Sequence, residues 1–135
     1  MEKLIHPEIK GLTIGELRCW SAEDLMGFTG ICSPDCDKYP LPYYQDKEGN
    51  KFTWHPDNFK TGQIWIVIKK MREQLPDGSD GFNFNLNWQA HKGITISIAQ
   101  FHKIDPFIHG QGADDLPCIA TLIAAFDARR NLCLK

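Results

Sequence analysis

The 135-residue sequence lacks a long hydrophobic run, a dense basic run and any large excess of one charge. No apolar stretch approaches the ~20 residues of a membrane-spanning helix, and residues 1–7 lack the apolar core of a signal peptide. The net charge is −2, from 15 basic and 17 acidic residues, whereas non-specific nucleic-acid binding needs a basic face. We therefore expect a cytoplasmic protein with no membrane partner and no strong nucleic-acid binding.

Recognisable catalytic motifs are also missing. The sequence has no nucleophile elbow, Walker loop, dinucleotide fingerprint or HExxH helix. Cys32, Cys36 and His55 have side chains that suit zinc. Because no second Cys/His pair completes four ligands, two free thiols in a turn are the favoured interpretation. We expect no catalytic residues, no metal and no cofactor.

The sequence that is present has the composition of one globular domain. Apolar residues make up 42% and charged residues 24%, close to the norm for folded chains, and the length suits a single domain over 1–135. Apolar residues recur at helical spacing in three segments, which predicts helices over about 14–26, 59–75 and 115–129. Thr13 and Glu16 form a capping box at the start of the first helix.

Alternating apolar and polar residues predict two strands, over 82–88 and 93–98. The connection 90–92 is short enough to make them an antiparallel hairpin. A second loop is expected over 101–112, with a short strand near 107–109. Strands grouped between helices predict an α+β fold, a small antiparallel β-sheet flanked by helices in an α-β-α sandwich.

An irregular insertion at about 29–57 interrupts the regular pattern. It is rich in proline, which denies backbone donors to a helix or a central strand, and a turn at 46–50 predicts a small hairpin within it. Its aromatic residues Tyr43, Tyr44 and Trp54 would stack on a base. The alternative is that these rings close a small core under the loop.

Asn83, Asn85 and Asn87 share one face of the first predicted strand. Their amides offer uncharged donors and acceptors at regular spacing, which suits a base edge or a ribose. We expect Thr95 and Ser97 to join this face across the hairpin. The alternative is an ordinary solvated face of an antiparallel sheet.

Three segments resemble the phage ABA sandwich domain, a family of small phage and prophage proteins. Residues 16–28 are similar to the family's first helix, which ends in a Met-Gly-Trp-like signature where this sequence has Met-Gly-Phe. Residues 65–71, in which Trp65 opens an aliphatic stripe, are similar to its second helix. The Ala-Asp-Asp-Leu-Pro segment at 113–117 and the Ala-rich helix after it are similar to the C-terminal signature. The resemblance implies a helix-flanked antiparallel sheet and a phage accessory role, and it implies no catalytic residues.

Three functions follow as hypotheses. The first is a non-enzymatic phage protein that sequesters a nucleotide-derived host immune signal in the bacterial cytoplasm, as a homodimer or higher homo-oligomer. The second is a protein–protein interaction module that inhibits a host enzyme through aromatic anchors. The third is a nucleotide hydrolase that uses His102, Asp105 or His109. For the first, His55, His91, Lys92 and His102 would meet phosphates. The expected ligand-binding residues are Tyr43, Tyr44, Trp54, His55, Asn83, Asn85, Asn87, His91, Lys92 and His102.

Overall fold

The computed structural model describes residues 13–30, 43–104 and 107–133, and this part of the chain contains three α-helices and six strands in two antiparallel sheets. A small sheet has the order β1-β2-β3 and a large sheet the order β4-β5-β6. The α+β fold with a small antiparallel sheet and flanking helices is confirmed. The elements are α1 (Ile14–Trp20), β1 (Thr29–Gly30), β2 (Tyr43–Gln45), β3 (Lys51–Thr53), α2 (Ile64–Arg72), β4 (Asn83–His91), β5 (Ile94–Lys103), β6 (Ile108–Asp114) and α3 (Pro117–Cys133).

The first helix begins at the predicted cap, where the Thr13 hydroxyl accepts a hydrogen bond from the Glu16 backbone amide at 3.2 Å. A π-helical turn, Ser21–Leu25, continues α1, so together they span nearly all of the predicted helix. Leu17, Ala22 and Leu25 are buried, because they share the face turned toward the core.

The second helix is shorter than the predicted 59–75. A 3-10 turn, Phe59–Thr61, comes first and ends at Gly62, whose φ of +69° a glycine adopts without strain. Glu73 then has extended backbone and stops α2. The predicted apolar stripe is confirmed, since Ile64, Val67, Ile68 and Met71 are all buried.

The segment 101–112 is expected as a loop with a short strand, but its residues 101–103 and 108–112 lie in the large sheet. β5 continues to Lys103, and β6 pairs with it over seven residues from Ile108. A Cβ on Gly110 would overlap the Ala128 backbone, and one on Gly112 would overlap the Ala120 carbonyl. The two glycines therefore let α3 lie directly on β6, a contact that a pattern of apolar residues alone does not reveal.

The β4–β5 register differs from the predicted hairpin. The turn contains two residues, Lys92 and Gly93, both with positive φ, as in a type I′ turn. Trp88 therefore pairs with Ser97 and Asn87 with Ile98. Because a register shift by an odd number of residues exchanges the two faces of a strand, Thr95 and Ser97 lie on the face opposite to the asparagines, and the prediction that they join it is wrong.

One face of the large sheet is covered by α3, whose buried residues join those of β5 and β6 in the hydrophobic core. α2 packs beside α3 and also contacts β4, whereas α1 packs on α3. The other face, called here the open face, has no helix on it in the described ranges. Nor do these ranges contain a helix long and apolar enough to cross a membrane.

Candidate functional site

Two of the predicted aromatic residues lie in the core. Tyr44 is 2% exposed and Trp54 is 1% exposed, and the Trp54 indole N–H donates a hydrogen bond to the Ser21 hydroxyl at 2.9 Å. Phe28 packs edge-to-face on Trp54, with ring centroids 5.2 Å apart. These rings close a core beneath the small sheet and present no face to a ligand. Tyr43, by contrast, is exposed.

The remaining predicted ligand residues lie in separate places. His55 is half-buried in the loop after β3, where its backbone N–H donates to the Gln63 side-chain oxygen at 2.6 Å. Lys92 is exposed at the tip of the β4–β5 hairpin. His91 is the last residue of β4. The residues Cys32, Cys36 and Asp105 fall outside the described part of the chain.

The structure brings four of the predicted residues together on the open face of the large sheet. Directly paired residues of antiparallel strands point to the same face. Asn83 pairs with His102, and His102 pairs with His109. One row across all three strands therefore consists of an amide and two half-buried imidazoles.

A second row lies beside the first. Asn85 pairs with Gln100, and Gln100 pairs with Gln111. The side-chain amide of Gln100 donates a hydrogen bond to the side-chain oxygen Oε1 of Gln111 at 3.0 Å. This bond holds both side chains in place. Asn87 belongs to the next row, where its neighbour on β5 is Ile98.

The open face changes character along the strands. Its polar rows lie near the connection between β5 and β6. Toward the turn between β4 and β5, the same face carries Ile94, Ile96 and Ile98. At the polar end, the exposed Phe107 ring stacks on His109, with planes 5° apart and centroids at 6.4 Å. The face thus combines amide groups, two imidazoles and an aromatic ring. The sequence predicts His109 only as part of a hydrolytic site and does not predict Gln100 or Gln111, because the second predicted strand ends at 98 and 101–112 is expected as a loop.

A second feature, called here the apolar groove, lies on the other side of β4, between that strand and helices α2 and α3. Its volume is about 50 Å³, and a cleft of about 500 Å³ continues it past Lys69 and Arg72. Phe59 is 71% exposed and Trp65 is 61% exposed at its rim. Trp65 lies off the buried stripe of α2, which is the sequence signal for its exposure. The groove is lined by Phe59, Ile64, Trp65, Ile68, Phe84, Leu86, Pro117, Cys118 and Thr121.

A half-buried ion pair and a buried thiol lie near the groove. Arg18 donates two hydrogen bonds to the Asp57 carboxylate, at 3.1 and 3.2 Å, which ties α1 to the loop before α2. Burial raises the pKa of the Cys118 thiol, and the Asp57 charge raises it further. Cys118 therefore lines the groove as a buried, protonated thiol, which is a poor nucleophile. No group of three metal-ligating side chains occurs within the ranges that the structure describes.

The outward backbone groups of the two edge strands, β6 and β4, differ in their hydrogen-bond partners. At the β6 edge, the Asp127 carboxylate accepts the Gln111 backbone N–H at 3.1 Å. The Asn131 amide donates to the His109 carbonyl at 2.7 Å. At the outer edge of β4, no described residue forms a hydrogen bond with the backbone. Just before the strand, the Phe82 backbone N–H donates to the Met71 carbonyl at 2.9 Å, so the outward groups without a described partner are those of β4 itself.

No family model, curated protein sequence or solved structure matches this chain. The resemblance to the phage ABA sandwich domain accordingly stays a prediction from three sequence segments.

Proposed function

We propose that this protein binds a small nucleotide-class ligand on the open face of the large sheet. The observation that carries the proposal is the pair of polar rows, Asn83–His102–His109 and Asn85–Gln100–Gln111. They place several hydrogen-bonding side chains next to one another on three adjacent strands. A ligand with a planar heterocycle, a ribose and a phosphate has the complementary groups.

Each part of the face suits one part of such a ligand. Amide side chains both donate and accept, so Asn85 and Asn87 match the edge of a base or a ribose hydroxyl. The imidazole N–H groups of His102 and His109 suit phosphate oxygens. The exposed ring of Phe107 offers a surface for stacking.

The same chemistry favours binding over hydrolysis. Amides neither give nor take protons at neutral pH, and the two polar rows contain no carboxylate that would orient an imidazole as a general base. The resemblance to phage accessory proteins suggests the biological setting. There, the ligand would be a nucleotide-derived host immune signal, and the protein would sequester it.

Calorimetry against cyclic nucleotides and ADP-ribose-derived nucleotides tests this proposal. We expect one class to bind, and the double variant His102→Ala/His109→Ala to weaken that binding about tenfold or more. His55→Ala is the matched control, because this histidine lies in the loop after β3 and its removal should leave binding unchanged. Absence of binding to every nucleotide, or equal binding by both variants, would contradict the proposal.

The fate of the ligand separates binding from hydrolysis. After incubation, the protein is denatured and the released small molecules are identified by mass spectrometry. Intact ligand is the expected result. A hydrolysed product that disappears in the double histidine variant would favour the hydrolase instead.

The apolar groove favours a second candidate function, association with a protein. Exposed aromatic residues beside an apolar groove are typical anchors of protein interfaces. The groove adjoins the open β4 edge, so an associating chain would contact both.

A further inference from the structure

We propose that β4 pairs antiparallel with β4 of a second copy of this chain, about a twofold axis at Asn87. The two large sheets would then form one continuous six-stranded sheet. The backbone of β4, its side-chain sequence and the apolar groove beside it all support this pairing, which does not depend on the ligand proposed above.

The first step is the direction of the β4 backbone groups. The two-residue turn at Lys92 and Gly93 is closed by the pair His91–Ile94, and such a turn is closed by a hydrogen-bonded pair. Hydrogen-bonded and non-hydrogen-bonded positions alternate along an antiparallel ladder. Every second residue therefore directs its N–H and C=O away from β5. These outward residues are Phe84, Leu86, Trp88 and Ala90.

The second step is that β4 has none of the usual protections of an edge strand. Natural edges are blocked by charged side chains, proline, bulges or short length. β4 spans nine residues, contains no proline and no Asp, Glu, Lys or Arg, and pairs with β5 without a bulge. A second copy would meet no like charge along this edge.

The third step is that the strand is complementary to itself. About Asn87, the neighbours on either side are Leu86 and Trp88, and the next are Asn85 and Gln89. Antiparallel pairing centred there places amide opposite amide on the open face and apolar side chain opposite apolar side chain on the groove face. It also joins outward residues only to outward residues, Leu86 to Trp88 and Phe84 to Ala90. Every free N–H and C=O over this stretch then meets a partner.

The fourth step is the apolar groove. Phe84, Leu86 and Trp88 share one face of β4, and the first two line the groove. Trp88 is 59% exposed, a large apolar surface for a residue with no described aromatic neighbour. In the proposed pairing, Trp88 of the second copy lies against Leu86, at the mouth of the groove. The pairing thus covers the apolar side chains that a single chain leaves exposed.

A consequence follows for the open face. The exposed amides of the two copies would adjoin across the axis, with Asn85 beside Gln89 of the second copy. The polar surface would become continuous from one sheet to the other. A small ligand would then have two symmetric sets of polar rows available on one platform.

The mass of the full chain in solution, measured by light scattering across a dilution series, tests the pairing. We expect twice the chain mass of 15.4 kDa. Trp88→Lys places a charge beside the axis, opposite Leu86 of the second copy, and Ala90→Pro removes an outward N–H while leaving the β5 ladder intact. Both should return a single-chain mass. Ala113→Lys, an exposed position on β6, is the matched control and should keep the doubled mass. A wild-type chain that is monomeric throughout would overturn the proposal, as would a dimer unaffected by both β4 variants.

A cysteine placed at the axis tests the register itself. Asn87 faces Asn87 of the second copy in a non-hydrogen-bonded pair, where Cβ atoms are about 4.5–5.5 Å apart. Asn87→Cys should therefore form a disulfide-linked dimer on a non-reducing gel. Asn85→Cys, which faces Gln89, should form no more than the wild type with its native cysteines. Equal cross-linking of the two variants, or none above the wild type in Asn87→Cys, would overturn this register.

Discussion

The two edges of the large sheet end in different ways, although both strands belong to the same three-stranded ladder. At β6, Asp127 and Asn131 of α3 hydrogen-bond the outward backbone of Gln111 and His109. At β4, the outward backbone of Phe84, Leu86, Trp88 and Ala90 has no such partner among the described residues. One helix, α3, thus both fills the core and closes the β6 edge, whereas no described residue closes the β4 edge.

The difference originates in how closely each helix approaches its strand. Gly110 and Gly112 let the Ala120, Ala124 and Ala128 face of α3 lie against β6. As a result, Asp127 and Asn131 of the same helix reach the backbone at the outer edge of β6. α2 ends at Arg72, and its exposed Trp65 leaves a groove beside β4. Small residues on both sides of one contact thus decide which edge is sealed.

The largest change in the free energy of unfolding is expected from Gly112→Ala. The new Cβ would overlap the Ala120 carbonyl and the Ile123 side chain, which forces α3 away from β6. Overpacking of this kind lowers the free energy of unfolding by about 3 kcal/mol. Chemical denaturation measures it.

Gly30→Ala is the control for that substitution. A Cβ at Gly30 would make an ordinary contact of 3.7 Å with the Tyr44 ring, so its unfolding free energy should change by less than about 0.5 kcal/mol. If Gly112→Ala were as stable as Gly30→Ala, the close approach of α3 to β6 would be disproved.

A smaller effect is expected from opening the sealed edge. Asp127→Ala with Asn131→Ala removes two hydrogen bonds to the β6 backbone, which should lower the unfolding free energy by about 2 kcal/mol. The variant would then have two free edges, so sheets could extend in both directions. Light scattering should show species larger than the wild-type assembly.

Arg130→Ala serves as the comparison for the double variant. Arg130 forms an ion pair with Asp127 at 2.7 Å on the helix surface, and a surface pair of this kind contributes about 0–1 kcal/mol. Its removal leaves both backbone contacts available, so the assembly should keep the wild-type mass. Growth of Arg130→Ala to the same large species would contradict the role assigned to the edge contacts.

The smallest effect concerns the groove beside the open edge. Because burial raises the Cys118 pKa, little thiolate is present at pH 8. Alkylation should therefore be slow, and its rate should keep rising with pH after that of an ordinary thiol has levelled off. Trp88→Lys, which uncovers the groove mouth, should speed the reaction severalfold. Peptide mass spectrometry measures the modified fraction.

Cys19 provides the internal standard for that experiment. It is half-buried on α1 and does not line the groove, so its alkylation rate should be the same in the wild type and in Trp88→Lys. An identical Cys118 alkylation rate in the two proteins would contradict the claim that the second copy covers the groove.

Much of the fold could be predicted from the sequence, because it depends on local patterns. The Thr13 cap, the apolar stripe of α2 and the alternation along β4 each follow from the spacing of neighbouring residues. The register of the hairpin could not be predicted in the same way. The turn needs a positive φ at Lys92, which is unfavourable for a residue with a Cβ, so the residue at this position does not indicate a two-residue turn.

The candidate site was predictable only in part, for a related reason. Asn83, Asn85, Asn87 and His102 were singled out, and they do share one face. Their neighbours on that face depend on the register and on β6, which begins in a stretch that reads as a loop. The burial of Tyr44 and Trp54 depends on long-range contacts with Ser21 and Phe28, which composition alone does not reveal.

Residue-resolved hydrogen exchange along β4 tests the central claim most directly, that its outward edge is an association surface. The N–H groups of Asn85, Asn87 and Gln89 point to β5 and should be protected at every protein concentration. Those of Leu86, Trp88 and Ala90 point outward, so they should be protected at high concentration and exchange rapidly on dilution. Rapid exchange of these three at every concentration would contradict the account.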